Sequence, residues 1–140
     1  MRSKLEEAVE LATQLHSGQV DKAGKDYIEH PLRVMGLVEG ETEKIIAVLH
    51  DTLEDTHITF EALEARFGTT VAVAVKTLSR LEGEDYFEFI QRVKQNPIAA
   101  TVKIADLQDN MNLSRLQTVT EADLIRNEKY QKALSLLMRD

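Results

Sequence analysis

The chain has 140 residues, 43% of them hydrophobic, which suits one globular domain burying roughly 70% of its unfolded surface. It contains no cysteine, which excludes disulfides, zinc ribbons, iron–sulfur clusters and thiol nucleophiles together, so a cytoplasmic location is expected. Seventeen Lys and Arg against 24 Asp and Glu give a net charge of −7, the wrong sign for gripping nucleic acid. The longest apolar runs, Ile45 to Leu49 and Val71 to Val75, fall far short of the roughly 18 residues that would span a bilayer, so neither a membrane segment nor a leader is expected.

Six glycines and two prolines punctuate the chain, with no internal period, so residues 1–140 read as a single domain. Ser3 with Glu6 forms a capping box for a first helix, in which Leu5, Ala8, Val9, Ala12, Leu15 and His16 share a face until Gly18. Gly18 to Glu29 reads as a loop, and Pro31 as the first residue of a short helix carrying Leu32, Met35 and Val38. Thr42 to about Asp55 reads as a third helix. Thr59 caps a fourth that Gly68 closes, and Thr69 caps a fifth. In the fifth, Val71, Val73 and Val75 alternate as in a strand, but Leu78 and Leu81 extend the set at helical spacing, so a helix is expected. Gly83 to Gln95 puts Tyr86, Phe87, Ile90 and Val93 on one face; Asn96 and Pro97 start a helix running to about Asn110; Thr120 with Asp123 caps the last. The expected architecture is all-α, with seven or eight helices.

The third helix carries the chemistry. A step of 100° per residue places Ile45, Val48, Leu49, Thr52, Leu53 and Thr56 on one arc, and His50, Asp51, Glu54 and Asp55 on the other. Acids near a helix carboxyl end oppose the macrodipole, and a cation would relieve them. A divalent transition ion suits imidazole beside carboxylate, although two ligands do not make a site. Among the other histidines, His30 is the favoured partner, on the stiff chain before Pro31; His16 reads as a hydrogen-bonded, partly buried side chain, and His57 as solvated. Asp106 lies in the apolar stretch Val102 to Leu107, and Asp109 and Asn110 follow on its stripe as a pocket wall; paired with Lys103, Asp106 could equally be a surface acid. Phosphate-binding lysine loops, dinucleotide glycine fingerprints, serine elbows and zinc-protease helices are absent.

In order, His30, His50-Asp51 and Asp106 resemble the HD superfamily of metal-dependent phosphohydrolases. The stretches His16-Ser17-Gly18-Gln19, Lys22-Ala23-Gly24, Tyr27-Ile28-Glu29-His30-Pro31, Leu49 to Thr56, Val102 to Asp106 and Asp109-Asn110-Met111 are similar to the hydrolase domain of RelA/SpoT alarmone enzymes. The resemblance implies a compact helical HD bundle that hydrolyses (p)ppGpp to release its 3′-pyrophosphate. It implies that His30, His50, Asp51 and Asp106 ligate one Mn²⁺, or another divalent transition metal, while Glu54 and Asp55 orient the attacking water. Asn110 falls on a substrate-contacting position. Lys22, Lys25, Lys103 and Arg115 are candidates to meet the phosphates of a small nucleotide, which an acidic protein must do with a local cluster.

Two departures bear on the substrate. Asp21 and Leu107 stand where family members commonly carry arginine, which puts guanine specificity in question and leaves the metal chemistry untouched. The alternatives are the same chemistry on an adenine alarmone or a nucleoside phosphate ester, and a nucleotide-binding module without catalysis. Pattern gives no oligomeric state, because exposed and interface faces of short helices look alike.

Overall fold

A computed structural model describes residues 2–139. Among them nine α-helical segments are joined by short loops: α1 (Lys4–Leu15), α2 (Glu29–Gly36), α3 (Glu41–Leu49), α4 (Thr52–Asp55), α5 (Phe60–Phe67), α6 (Thr69–Thr77), α7 (Tyr86–Lys94), α8 (Pro97–Asn110) and α9 (Glu121–Met138). Counted as one bent element, α3 and α4 leave eight, and the bundle is all-α as expected. The described residues contain no strand, only an isolated antiparallel bridge between Val20 and Asp26 that pinches the loop after α1. No described helix is long and apolar enough to cross a membrane.

Helix α3 is the axle. Its five consecutive residues Ile45 to Leu49 are all buried, because α1, α2, α6 and α8 enclose it from every side. The outer helices bury single stripes: Ala8, Leu11 and Ala12 in α1, Phe89, Ile90 and Val93 in α7, and Val102 and Ala105 in α8. Helix α9 crosses the end of the bundle against α7 and α8.

The predicted caps form. Ser3 and Glu6 make a reciprocal box, as do Thr120 and Asp123, while Thr59 and Asn96 accept from Ala62 N and Ala99 N. Three details differ from expectation. Helix α2 starts at Glu29, so Pro31 is its third residue and not its first; it is tolerated there because N–H groups of a first turn lack an intrahelical acceptor. Gly68, at φ 94°, occupies the cap of α6, and Thr69 is the first helical residue. The helix expected at α6 forms, with Val71 and Val75 buried and Val73 41% exposed. The predicted Thr42–Asp55 helix breaks at His50-Asp51.

Candidate metal centre and cleft

The break has a local cause. The Nδ1–H of His50 reaches back to Ala47 O at 2.5 Å, and Thr52 Oγ1 donates to Leu49 O at 2.7 Å, so side chains occupy carbonyls at the end of α3. The turn aims His50 into the interior, where it is 2% exposed, and leaves Glu54 and Asp55 facing solvent. The four residues assigned to one arc are thereby split between the inside and the outside.

Helix α2 brings His30 and α8 brings Asp106 to the same point. Ligand atoms of buried His30, His50 and Asp106 lie within 4.8 Å of one another. His30 Nε2 is 2.8 Å from Asp106 Oδ1, and His50 Nε2 is 3.3 Å from the same oxygen. The other nitrogen of each ring also has an acceptor: His30 Nδ1 lies 2.6 Å from Asp109 Oδ2, and His50 Nδ1 donates to the Ala47 carbonyl. With Nδ1 protonated in each ring, both Nε2 atoms direct lone pairs at a carboxylate unless they carry a second proton. Two imidazoles oriented by Nδ1 donors, with bare Nε2 atoms beside a buried carboxylate, are the donor set of a divalent metal, and the residues fit one. Asp51 lies outside the set of three but adjoins it, its Oδ2 3.1 Å from His50 Nε2 and accepting from the Tyr27 hydroxyl.

The carboxylates around the two rings favour positive charge at this point. Burial pushes both imidazoles toward neutrality, but Asp106 and Asp109 around His30, and Asp51 and Asp106 around His50, outweigh it and raise both above the ordinary histidine value. Burial likewise opposes ionisation of Asp106, yet Lys103 and the two histidines hold it well below the carboxylate range. Glu54 and Asp55 behave oppositely: partial burial, then the Asp51 charge, raises both.

A cleft of about 320 Å³ opens beside His30, walled by the loop after α1, by the segment after α8 and by α9. Of the residues expected to meet the substrate, Lys22, Asn110 and Arg115 line it. Asn110 Nδ2 donates to Asp106 Oδ1 at 3.2 Å, and Arg115 reaches Asp109 O at 3.0 Å. Lys25 is exposed and is not in the lining. Lys103 is not in the lining either; its ammonium binds Asp106 Oδ2 at 2.8 Å, so the pairing anticipated for a surface acid exists, but in the interior. His57 is exposed, whereas His16, expected to be partly buried, is 2% exposed. Leu107 is fully buried in the core, so only Asp21 of the two departures alters the cleft.

Sequence reasoning missed Arg33, Arg126, Asn127 and Tyr130 among other lining residues. Arg33 binds Asp109 Oδ1 at 2.8 Å, and its place one turn after His30 was a usable signal. Arg126, Asn127 and Tyr130 come from α9, and nothing in its pattern shows which neighbour that helix will face.

The HD-domain family model matches residues 8–112. Over 126 residues the chain is 34% identical to a probable GTP pyrophosphokinase of Mycobacterium leprae, covering 81% of this chain and 16% of that protein. It is 36% identical over 120 residues to a guanosine-3′,5′-bis(diphosphate) 3′-pyrophosphohydrolase of Aquifex aeolicus, covering 77% and 17%. To the bifunctional (p)ppGpp synthase/hydrolase SpoT of Escherichia coli it is 30% identical over 123 residues, covering 77% and 18%. The chain thus spans about a sixth of the length of these relatives. A solved structure described as a metazoan ortholog of SpoT that hydrolyzes ppGpp superposes with a TM-score of 0.80 at 23% identity, covering 99% of this chain and 87% of that one, and shares the fold. With the family match spanning both histidines, Asp51 and Asp106, the chain belongs to the HD-domain family and is homologous to the RelA/SpoT proteins.

Proposed function

We propose that this chain, acting as a single HD unit over residues 1–140, is a Mn²⁺-dependent phosphohydrolase that removes the 3′-pyrophosphate of (p)ppGpp. The observation that carries the reading is the convergence of His30 Nε2 and His50 Nε2, each with an acceptor at its Nδ1, on Asp106 Oδ1. Those three residues and Asp51 would hold the ion, and Asp109 and the Ala47 carbonyl would keep the rings in the ligating tautomer. When bound, the ion supplies Lewis acidity at phosphate and lowers the pKa of water.

The chain's own groups do the rest. Glu54 and Asp55 flank the centre with carboxyls raised by burial and by Asp51, which makes them stronger proton acceptors than ordinary carboxylates near neutrality. They orient the attacking water and take its proton; the hydroxyl joins phosphorus, the bond to the ribose 3′ oxygen breaks, and that oxygen leaves protonated. Lys103 and Asn110 hold Asp106 in place. Lys22, Arg33, Arg115 and Arg126 supply the cleft's positive charge, and Tyr27 and Tyr130 its aromatic walls. Support for the guanosine substrate comes from the names of the relatives. Asp21, whose Oδ1 accepts from the N–H groups of Ala23 and Lys25 in the cleft wall, leaves the base without the arginine common in the family, so the same chemistry on an adenine counterpart is the second reading.

The test is pyrophosphate release from ppGpp and from its adenine counterpart by metal-stripped protein, with and without Mn²⁺. We expect metal-dependent release from ppGpp, none from Asp51→Ala, which also loses the ion, and a drop on the order of 10²-fold in Glu54→Ala with the ion retained. Faster turnover of the adenine compound would select the second reading. Binding without turnover of either would make this a regulatory module, and a fully active Asp51→Ala protein refutes the ligand assignment.

A further inference from the structure

One buried imidazole has no part in the chemistry so far. His16, at the end of α1, is 2% exposed, and its ring centroid lies 5.0 Å from that of Tyr27, whose hydroxyl binds Asp51. His16 Nδ1 is 2.8 Å from Gln19 Oε1, and Gln19 Nε2 donates to the backbone carbonyl of Asp55 at 3.2 Å. The protonation of this chain follows from its far end. A carbonyl only accepts, so the amide nitrogen of Gln19 must face Asp55, and its oxygen must face His16. Nδ1 therefore carries the proton, and Nε2 of the neutral ring is a lone pair. Among the described residues that Nε2 is buried with no hydrogen-bond partner.

An apolar ring would fill this space without an orphaned acceptor, so packing does not account for a histidine here. What the imidazole supplies is a donor of fixed direction. It orients Gln19, whose backbone N–H also donates to His16 O at 3.0 Å and whose carbonyl accepts from Tyr27 N at 2.9 Å. Asp55 is the last residue of α4, where a carbonyl lacks an intrahelical donor, and α4 has only four residues to hold its end in place.

We propose that His16 is a positioning residue: through Gln19 it fixes the carboxyl end of α4 and with it the placement of the Asp55 side chain beside the metal centre. The inference rests on the proposed role of Asp55 as a water-orienting acid.

The test uses the full chain loaded with Mn²⁺. We expect His16→Phe to lower kcat on the order of tenfold, with KM and bound Mn²⁺ unchanged, because the defect is one of orientation. Asn has a side-chain N–H near the position of Nδ1, so His16→Asn restores most of the loss. Gln19→Glu, which faces Asp55 O with an acceptor, matches His16→Phe, and the two together cost no more than either. If His16→Phe does not fold, Gln19→Glu alone carries the kinetic arm. Independently of activity, the ring nitrogen resonances of His16 should report the Nδ1–H tautomer, and Gln19→Glu should shift the Asp55 and Thr56 amides. A proton on Nε2, wild-type kcat in the folded variants, or loss of Mn²⁺ along with kcat overturns the proposal. A wild-type protein inert on nucleotides but showing both resonance signatures defeats the proposed function and leaves the positioning link standing.

Discussion

At the scale of residues, Asp106 Oδ1 is where two histidines meet, and protons compete there with a metal. In metal-free protein the raised values of His30 and His50 make their protonation a stabilising event, fully present below the ordinary histidine value of 6.5 and lost as pH rises through the higher folded-state values. Asp109 works from the other side: burial raises it, but His30 and Arg33 more than offset that and hold it at about 2, so its contribution is present above 3.8 and lost as pH falls toward 2. Metal-free protein is therefore expected to be most stable between these limits, on the acid side of neutrality. A divalent ion must displace the protons from both Nε2 atoms, so its binding strengthens as pH rises. We expect the gain in Tm from saturating Mn²⁺ over EDTA to grow between about pH 6 and about pH 8, measured by thermal unfolding in buffers of matched ionic strength. An equal gain at both ends would show that the ion does not replace protons on His30 and His50.

At the scale of elements, the bend between α3 and α4 does most to build the centre, and it was the least legible in the sequence. Caps were readable because each is a local exchange of one side-chain acceptor for one free N–H, as at Ser3, Thr59, Asn96 and Thr120. Helix type was readable from spacing, and His30, His50 and Asp106 from their order. The bend was not, because Thr42 to Asp55 keeps helical periodicity straight across it, and its cause is a competition between side chains and backbone for the carbonyls of Ala47 and Leu49. Thr52 is fully buried and supplies half of that competition. Thr52→Val preserves volume and removes the hydroxyl, leaving Leu49 O short of a donor. We expect a loss of about 1–2 kcal/mol in unfolding free energy, read from the urea midpoint at constant m-value, with weaker Mn²⁺ binding as His50 loses its fixed aim. A variant with unchanged midpoint and metal affinity would place the origin of the bend elsewhere.

At the scale of the whole molecule, the charge of −7 repels a phosphorylated nucleotide at long range, so attraction depends on how cations gather at the cleft. Lys22 comes from the loop after α1, Arg33 from α2, Arg115 from the turn after α8 and Arg126 from α9, which are far apart in sequence and meet only when α9 closes over the bundle. Helix α9 lies beyond the family match, which ends at residue 112, and its place was invisible to pattern because a helix does not announce which groove it will cover. Arg33 and Arg115 are engaged with Asp109, and Arg126 with Asp123 at the head of α9, which leaves Lys22, raised on an exposed loop opposite Arg126, as the least constrained cation of the four. Desolvation, then the charge of Arg126, lowers the Lys22 value while Asp123 raises it, so the two cations that line the cleft repel one another. An anion placed between them relieves that repulsion. Arg126→Glu reverses one of the pair without touching the metal centre, so we expect KM to rise by about tenfold at low salt with kcat within about twofold, and the gap from the unaltered protein to narrow as ionic strength approaches about 0.5 M. An ionic-strength series on both proteins measures this. If KM does not respond to the reversal, the nucleotide reaches His30 from another side of the bundle, and α9 serves the fold alone.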